Sequence, residues 1–319
     1  MYNNLLTIIN VWGEKMAVVR EYAEMSLPEI EALDRKKTIF LMAVSPLEVH
    51  GHHLPVGADI FISLELIRRY VGELQKEYPS YTLVTLPPLY LGADALPVKG
   101  SVSVPAPLLK GVLLSYVKSL AALGFRYLFI ADNHGGPRHQ MGIEAASRKA
   151  WKKYRFYLIN SFNHEFRLMV QHDQAFMQKT GLGAGCCGDD ADCHAGTNET
   201  SLMLAADRKK VRDNWQEIST YRPPASSKLM LGLGKLAGLF SRGLGKDLEH
   251  LAGTLAWVGD PDKLPYVGCP ALASQEAGEA MFKARTEVAM EFFRKALAGE
   301  DVKTTPMLWG LSLLQRLPE

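Results

Sequence analysis

Between residues 38 and 163 the chain alternates short apolar, partly β-branched runs with segments whose apolar residues recur every three or four positions. TIFLMAVSP (38–46) precedes IFISLELIRRYVGELQKE (60–77), and YTLVTLPPLYLG (81–92) precedes PAPLLKGVLLSYVKSLAALGF (105–125). RYLFIAD (126–132) is followed by a helical pattern over 138–153, and RFYLINSFN (155–163) closes the series. Strand–helix alternation of this kind predicts an α/β fold, a mostly parallel sheet flanked by helices on both faces, because parallel strands need long crossover connections. Ligands of such sheets collect at the carboxyl ends of strands, so chemistry is expected in the loops after residues 46, 130 and 160.

No internal repeat and no long linker divides the 319 residues, so 1–319 is expected to be a single domain. Residues 181–201 are small, polar and glycine-rich, with a helical restart at LMLAADRKKV. Residues 222–256 mix Gly, Leu and Lys with neither a clean strand nor a clean helix, the pattern of a mobile insertion or lid, or of a partly helical oligomer contact. A long amphipathic helix is predicted from Ser274 to Ala298, followed by an apolar tail at 300–319. With 47% hydrophobic and 22% charged residues, disordered and fibrous classes are excluded.

Thirty-six basic against 34 acidic residues give a net charge of +2, too weak a global field to hold nucleic acid or an anionic membrane. A charged partner would have to be caught by a local patch. Four cysteines are too few for a disulfide framework and suit free thiols in a reducing compartment, so the cytoplasm is the expected location. The N-terminal stretch lacks the basic region and cleavage site of a signal peptide, and no run reaches the ~18 apolar residues of a membrane span.

Three polar clusters stand out, the first two at strand ends where chemistry is expected. The first is Glu48-Val49-His50-Gly51-His52-His53-Leu54-Pro55-Val56-Gly57-Ala58-Asp59, directly after the first predicted strand. If strand geometry persists to residue 50, Glu48 and His50 face the same side, and Asp59 returns to them after the turn at Pro55 and Gly57. Such oxygen and nitrogen donors suit Zn, Mn or Fe(II); a solvated polar loop is the bland alternative. The second is Asp132-Asn133-His134-Gly135-Gly136, at another strand end, where polar groups are costly to bury without partners and paired glycines admit a ligand closely. In the third, Asp192 to Ser201, His194 precedes Glu199 by five residues, and Thr197 or Asn198 is placed to cap a helix starting near Glu199.

Together the clusters resemble the creatininase family of metal-dependent amidohydrolases. The first matches E-x-H-G-x-H-L-P-x-G-x-D at Glu48, His50, Gly51, His53, Leu54, Pro55, Gly57 and Asp59; the third matches H-A-G-x-x-E-T-S from His194 to Ser201. Lys99–Ser103 and GCPALASQEAG (268–278) fall in the family's order. The resemblance implies a creatininase-like three-layer sandwich with two divalent ions per subunit, Zn foremost and Mn or Fe as alternatives. It implies Glu48, His50, Asp59 and His134 as ligands, Asp59 bridging. Glu199 is the candidate to complete the second site, because Gly136 stands where some members carry a glutamate. His194 would be the catalytic proton shuttle. It further implies a homo-oligomer, often a hexamer in that family.

The expected activity is hydrolysis of a non-peptide or cyclic C–N amide of a small molecule. Creatinine itself is a poor candidate, because Asp190 occupies the position of the family's substrate-stacking tryptophan. Formamide hydrolysis and peptidase action on a cofactor precursor stay open. Two further departures, Ser45-Pro46 and Pro137, keep alive the alternative of a non-catalytic binding or scaffold protein with a decayed site. Gly181–Gly185 imitates a dinucleotide loop but follows no buried strand.

Overall fold

The computed structural model describes residues 17–171, 173–180 and 192–311; the dinucleotide-like loop, Cys186, Cys187, Asp190 and residues 312–319 lie outside them. In chain order the elements are β1 (Val18–Glu21), α1 (Leu27–Glu31), β2 (Thr38–Ser45), α2 (Ala58–Glu77), β3 (Thr82–Thr85), β4 (Leu89–Tyr90), α3 (Ala106–Ala122) and β5 (Tyr127–Ala131). There follow α4 (Pro137–Tyr154), β6 (Tyr157–Asn160), α5 (Phe162–Val170), α6 (Gln174–Thr180), α7 (Thr197–Asp207), α8 (Lys228–Phe240), α9 (Arg242–Gly259) and α10 (Gln275–Leu297). The sheet order is β1-β3-β2-β5-β6, with β4 paired to the end of β2, and every ladder is parallel.

All eight residues of β2 are buried, which is why its sequence is a continuous apolar run and not an alternating one. Its side chains still alternate between faces. Ile39, Leu41 and Ala43 join Leu66 and Tyr70 of α2 and Phe282 and Phe293 of α10 in one core. Phe40, Met42 and Val44 join Leu109 and Leu113 of α3 and Ile143 and Ala146 of α4 in the other. These are the three layers the alternation predicted.

The departures have local causes. β6 stops at Asn160, short of residue 163, because the Asn160 side chain accepts from Phe162 N at 3.3 Å and turns the chain into α5. α7 starts at Thr197, yet neither Thr197 nor Asn198 caps it: Thr197 Oγ1 donates to Cys269 O, and Asp192 Oδ2 accepts from Asn198 N instead. β1 has no counterpart in the predicted elements.

The region 222–256 holds two regular helices, α8 and most of α9, contrary to the expectation of no clean helix. Its glycines had argued against helix because they weaken one. Here they form the crossing: a Cβ on Gly245 of α9 would lie 2.7 Å from Gly238 Cα and 3.0 Å from Gly234 O of α8. The glycines let the two backbones approach closely.

Candidate metal centre

The strand alternation invoked for Glu48 and His50 does not reach them, since β2 ends at Ser45. They converge through the following loop, in which Glu48 N donates to Val56 O at 2.9 Å and His50 Nδ1 donates to Glu48 O at 2.9 Å. Asp59 stands in the first turn of α2, and Asn133 and His134 leave the end of β5. Glu199 comes from the first turn of α7. All but the partly exposed Glu199 are buried, and four separate elements thus deliver their polar ends to one place.

Backbone carbonyls fix which ring nitrogen of each histidine is free. His50 Nδ1 faces the Glu48 carbonyl and His134 Nε2 faces the Ala93 carbonyl at 2.9 Å; a carbonyl only accepts, so these nitrogens carry the protons. The lone pairs of His50 Nε2 and His134 Nδ1 are therefore turned toward the carboxylates. His134 Nδ1 lies 2.9 Å from Glu48 Oε2 and 3.6 Å from Asp59 Oδ2. His50 Nε2 lies 3.4 Å from Asp59 Oδ1 and 3.5 Å from Glu199 Oε2.

Donor atoms so arranged repel one another unless positive charge sits among them. Glu48 Oε2, His50 Nε2 and Asp59 Oδ2 are buried without a hydrogen-bond partner, a costly arrangement, and these three converge on one place. Ligands of one ion at ~2.1 Å lie about 3 to 3.5 Å apart, which matches these separations. The groups Glu48/Asp59/His134 and His50/Asp59/Glu199 each offer three donors within 4.8 Å of one another, and Asp59 belongs to both. A third such group, Glu48/His50/His194, places His194 at the edge of the centre. The residues fit two cations.

The same demand appears in proton affinities. Burial opposes charge on His134, but the carboxylate of Glu48 outweighs it and pushes the imidazole up to about 10. His50 is likewise raised well above its usual value against burial, by Asp59 and Glu199. Glu48 and Glu199 are held at about 2, burial being overcome chiefly by His134 for the first and His50 for the second. Protons take the places for which the carboxylates call.

Residues 23–293 match the family model for creatininase, described as creatinine amidohydrolase. The chain belongs to the creatininase family. Members of this family are metal-dependent hydrolases. Among solved structures, a Bacteroides fragilis protein provisionally assigned as a creatinine amidohydrolase has a TM-score of 0.60 at 21% identity, covering 91% of this chain and 99% of that one. A manganese creatininase has a TM-score of 0.57 at 19% identity (88% and 99% covered), and a mutant creatininase of Zn-Zn type 0.58 at 17% (87% and 98%). These likenesses establish the fold. A mycofactocin precursor peptide peptidase of Mycobacterium ulcerans (strain Agy99) is 29% identical over 170 residues. That match spans 51% of this chain and only 56% of the relative.

In this creatininase-family chain the departures from the family pattern have structural work. Ser45 Oγ donates to Asp132 Oδ1 at 2.7 Å. Pro137 is the first residue of α4, where the missing N–H costs nothing. Gly136 serves less to admit a ligand than to make room for the His134 ring and for Ala93 O, which a Cβ would meet at 2.9 Å.

Several supporting residues were assigned no role by the sequence. Asn133 Nδ2 donates to Asp59 Oδ1 and to Glu199 Oε1, both at 2.9 Å, while its Oδ1 accepts from Arg285 Nη1 at 2.7 Å. Arg285, on the buried face of α10, is paired with Glu165 of α5 at 2.7 Å. A charge on an otherwise apolar helical stripe was the available signal, because a buried charge needs a partner. His139 is buried and bridges Ala93 N (3.2 Å) to Asp132 Oδ2 (3.1 Å). His53 is pushed down to about 4 by burial and faces Thr200 Oγ1 at 2.7 Å, tying the first loop to α7.

His194 Nε2 donates to Val49 O at 2.8 Å, so Nδ1 faces the centre, 3.9 Å from Glu199 Oε2. Asp192 Oδ2 accepts from Asn198 N at 3.2 Å and so caps α7. Beside the centre lies a cavity of about 790 Å³ whose walls include Leu96, Phe162, Phe166, Leu251, Trp257 and Met307. Trp257 comes from α9, its Nε1 fixed on Leu264 O at 2.9 Å. His164 packs edge-on to Phe292.

Proposed function

We propose that the protein hydrolyses the C–N amide bond of a small, non-peptide or cyclic substrate carrying an apolar portion, with two divalent ions held by Glu48, His50, Asp59, His134 and Glu199. Zinc is the first choice, manganese or iron the alternatives. The observation that carries this reading is the split of Asp59, whose Oδ1 faces His50 and whose Oδ2 faces His134. Bound ions would supply an acidified water and a polarised carbonyl.

The residues of the chain supply the rest. His194, with Nε2 committed to Val49 O, has only Nδ1 to exchange a proton, and delivers it to the leaving nitrogen. Glu199 is held for its part by Ala195 N, which donates to Oε2 at 2.6 Å. A cavity of about 790 Å³ is in the range of sites for drug-sized molecules and far exceeds a creatinine-sized one. Its apolar walls reward a hydrophobic substituent beside the scissile amide.

A second reading, cleavage of a peptide bond next to apolar residues, is supported by the likeness to the mycofactocin precursor peptide peptidase. Metal-loaded protein incubated with formamides, cyclic amides and short apolar peptides, with products read by mass spectrometry, separates the two. Hydrolysis of the small amides supports the first, and of peptides alone the second. No turnover by protein carrying two ions per chain would move the weight to a binding or scaffold role.

A further inference from the structure

α8 presents a face for which the metal centre has no use. It turns Gly234 and Gly238 to α9 and leaves Leu229, Leu233, Leu236, Leu239 and Phe240 outward, between 48% and 88% exposed. A surface helix normally places polar residues there. Lys228 and Lys235, both exposed and seven residues apart, lie two helical turns from one another along one edge of this stripe. From residue 218 to 246 the chain has five basic residues, Arg222, Lys228, Lys235, Arg242 and Lys246, and no acidic one. The near-neutral total conceals a local imbalance.

We propose that α8, with the start of α9, is a docking surface for an anionic lipid bilayer. Leucines and phenylalanine on one face with lysines at its margin are the composition of a helix lying in a membrane interface, where the apolar face enters the acyl boundary and the lysines meet anionic headgroups. A second copy of the chain fits this face less well. Isologous pairing of α8 with itself would bring the lysines of the two copies together with no carboxylate on α8 to offset them, Glu249 of α9 being already paired with Lys246 at 3.3 Å. The contact is peripheral, since no helix among the described residues is long and apolar enough to cross a membrane. α9, on which α8 packs, supplies Leu251, Leu255 and Trp257 to the cavity wall, so docking holds that cavity one helix away from the bilayer.

Vesicle co-sedimentation of the full chain tests this, with phosphatidylcholine vesicles compared with vesicles that also contain phosphatidylserine. Binding is expected to the phosphatidylserine vesicles, to weaken as salt rises, and to fall about fivefold for each of Lys228→Ala and Lys235→Ala. Leu233→Ser with Phe240→Ser should abolish it while thermal melting and metal content stay those of the parent. Failure to sediment with phosphatidylserine vesicles, or binding indifferent to these substitutions, overturns the proposal. So does a self-association, seen by sedimentation velocity without lipid, that the Leu233→Ser, Phe240→Ser pair dissolves while vesicles bind no protein.

Discussion

The side-chain amide of Asn133 donates to Asp59 Oδ1 at 2.9 Å and so fixes the roll of the carboxylate that faces both His50 and His134. Asn133→Leu keeps the approximate volume but removes this bond, the one to Glu199, and the acceptor for Arg285. Outer hydrogen bonds of this type are worth roughly 10- to 100-fold in metal affinity. Competition with a fluorescent chelator should show a loss of that size; an unchanged affinity would mean that Asp59 is held by something else.

Asp59 is common to both donor groups and Glu199 to one. Elemental analysis is expected to find two ions per chain in the parent, none beyond trace in Asp59→Ala, and one in Glu199→Ala. Equal metal content in the two variants would remove the bridging role from Asp59.

His194→Ala should lower kcat by about 10²- to 10⁴-fold, the usual contribution of a positioned acid or base, with both ions retained. Because His194 also stands within a possible donor group with Glu48 and His50, loss of an ion in this variant would make it a ligand and not a shuttle.

The metal-free protein should have a characteristic pH profile. His134, at about 10 when folded against an ordinary 6.5, gives stability that is complete below about 6.5 and lost as pH rises through 10. Glu48, at about 2 against 4.5, gives stability complete above about 4.5 and lost as pH falls through 2. The melting temperature of chelated protein should therefore gain most from this pair between pH 4.5 and 6.5, and His134→Gln should lessen the decline on the alkaline side, to which His50 also contributes. Ions displace the imidazole protons, so calorimetry in buffers of different ionisation enthalpy should register proton release on loading near neutral pH.

Asp192 behaves oppositely. Burial pushes it up to about 7, and its Oδ1 has no partner. The folded state then holds a proton that the unfolded chain has released, so stability declines between about 3.8 and 7. Asp192→Asn should melt higher than the parent at pH 8 and nearly equally at pH 4; a variant less stable at both would show that the carboxylate is needed as the α7 cap.

The layers were legible because β2 and β5 are apolar on both faces, and only strands covered on both sides have that composition. Glu48, His50, Asp59, His134, His194 and Glu199 were legible as motifs at strand and helix ends, and the fold does gather them. What spacing could not convey is how they meet. Residues 48–50 converge through loop hydrogen bonds and not strand alternation, and Arg285 reaches Asn133 across 152 positions of sequence. Glycine was misleading in 222–256 because helix propensity describes an isolated helix, whereas Gly234, Gly238 and Gly245 gain their purpose only when two helices touch.

The segment from Ala93 to Leu96 holds the centre by its peptide groups alone. The Ala93 carbonyl orients His134, the Ala93 amide holds His139, and Leu96 N donates to Glu48 Oε1 at 2.6 Å. Every residue type but proline offers those groups, while the side chains of Ala95, Leu96 and Val98 form part of the cavity wall. Replacements along this stretch can accordingly reshape what the enzyme accepts while its ligands stay in place, so that descendants of one ancestral centre could diverge in diet without rebuilding their chemistry.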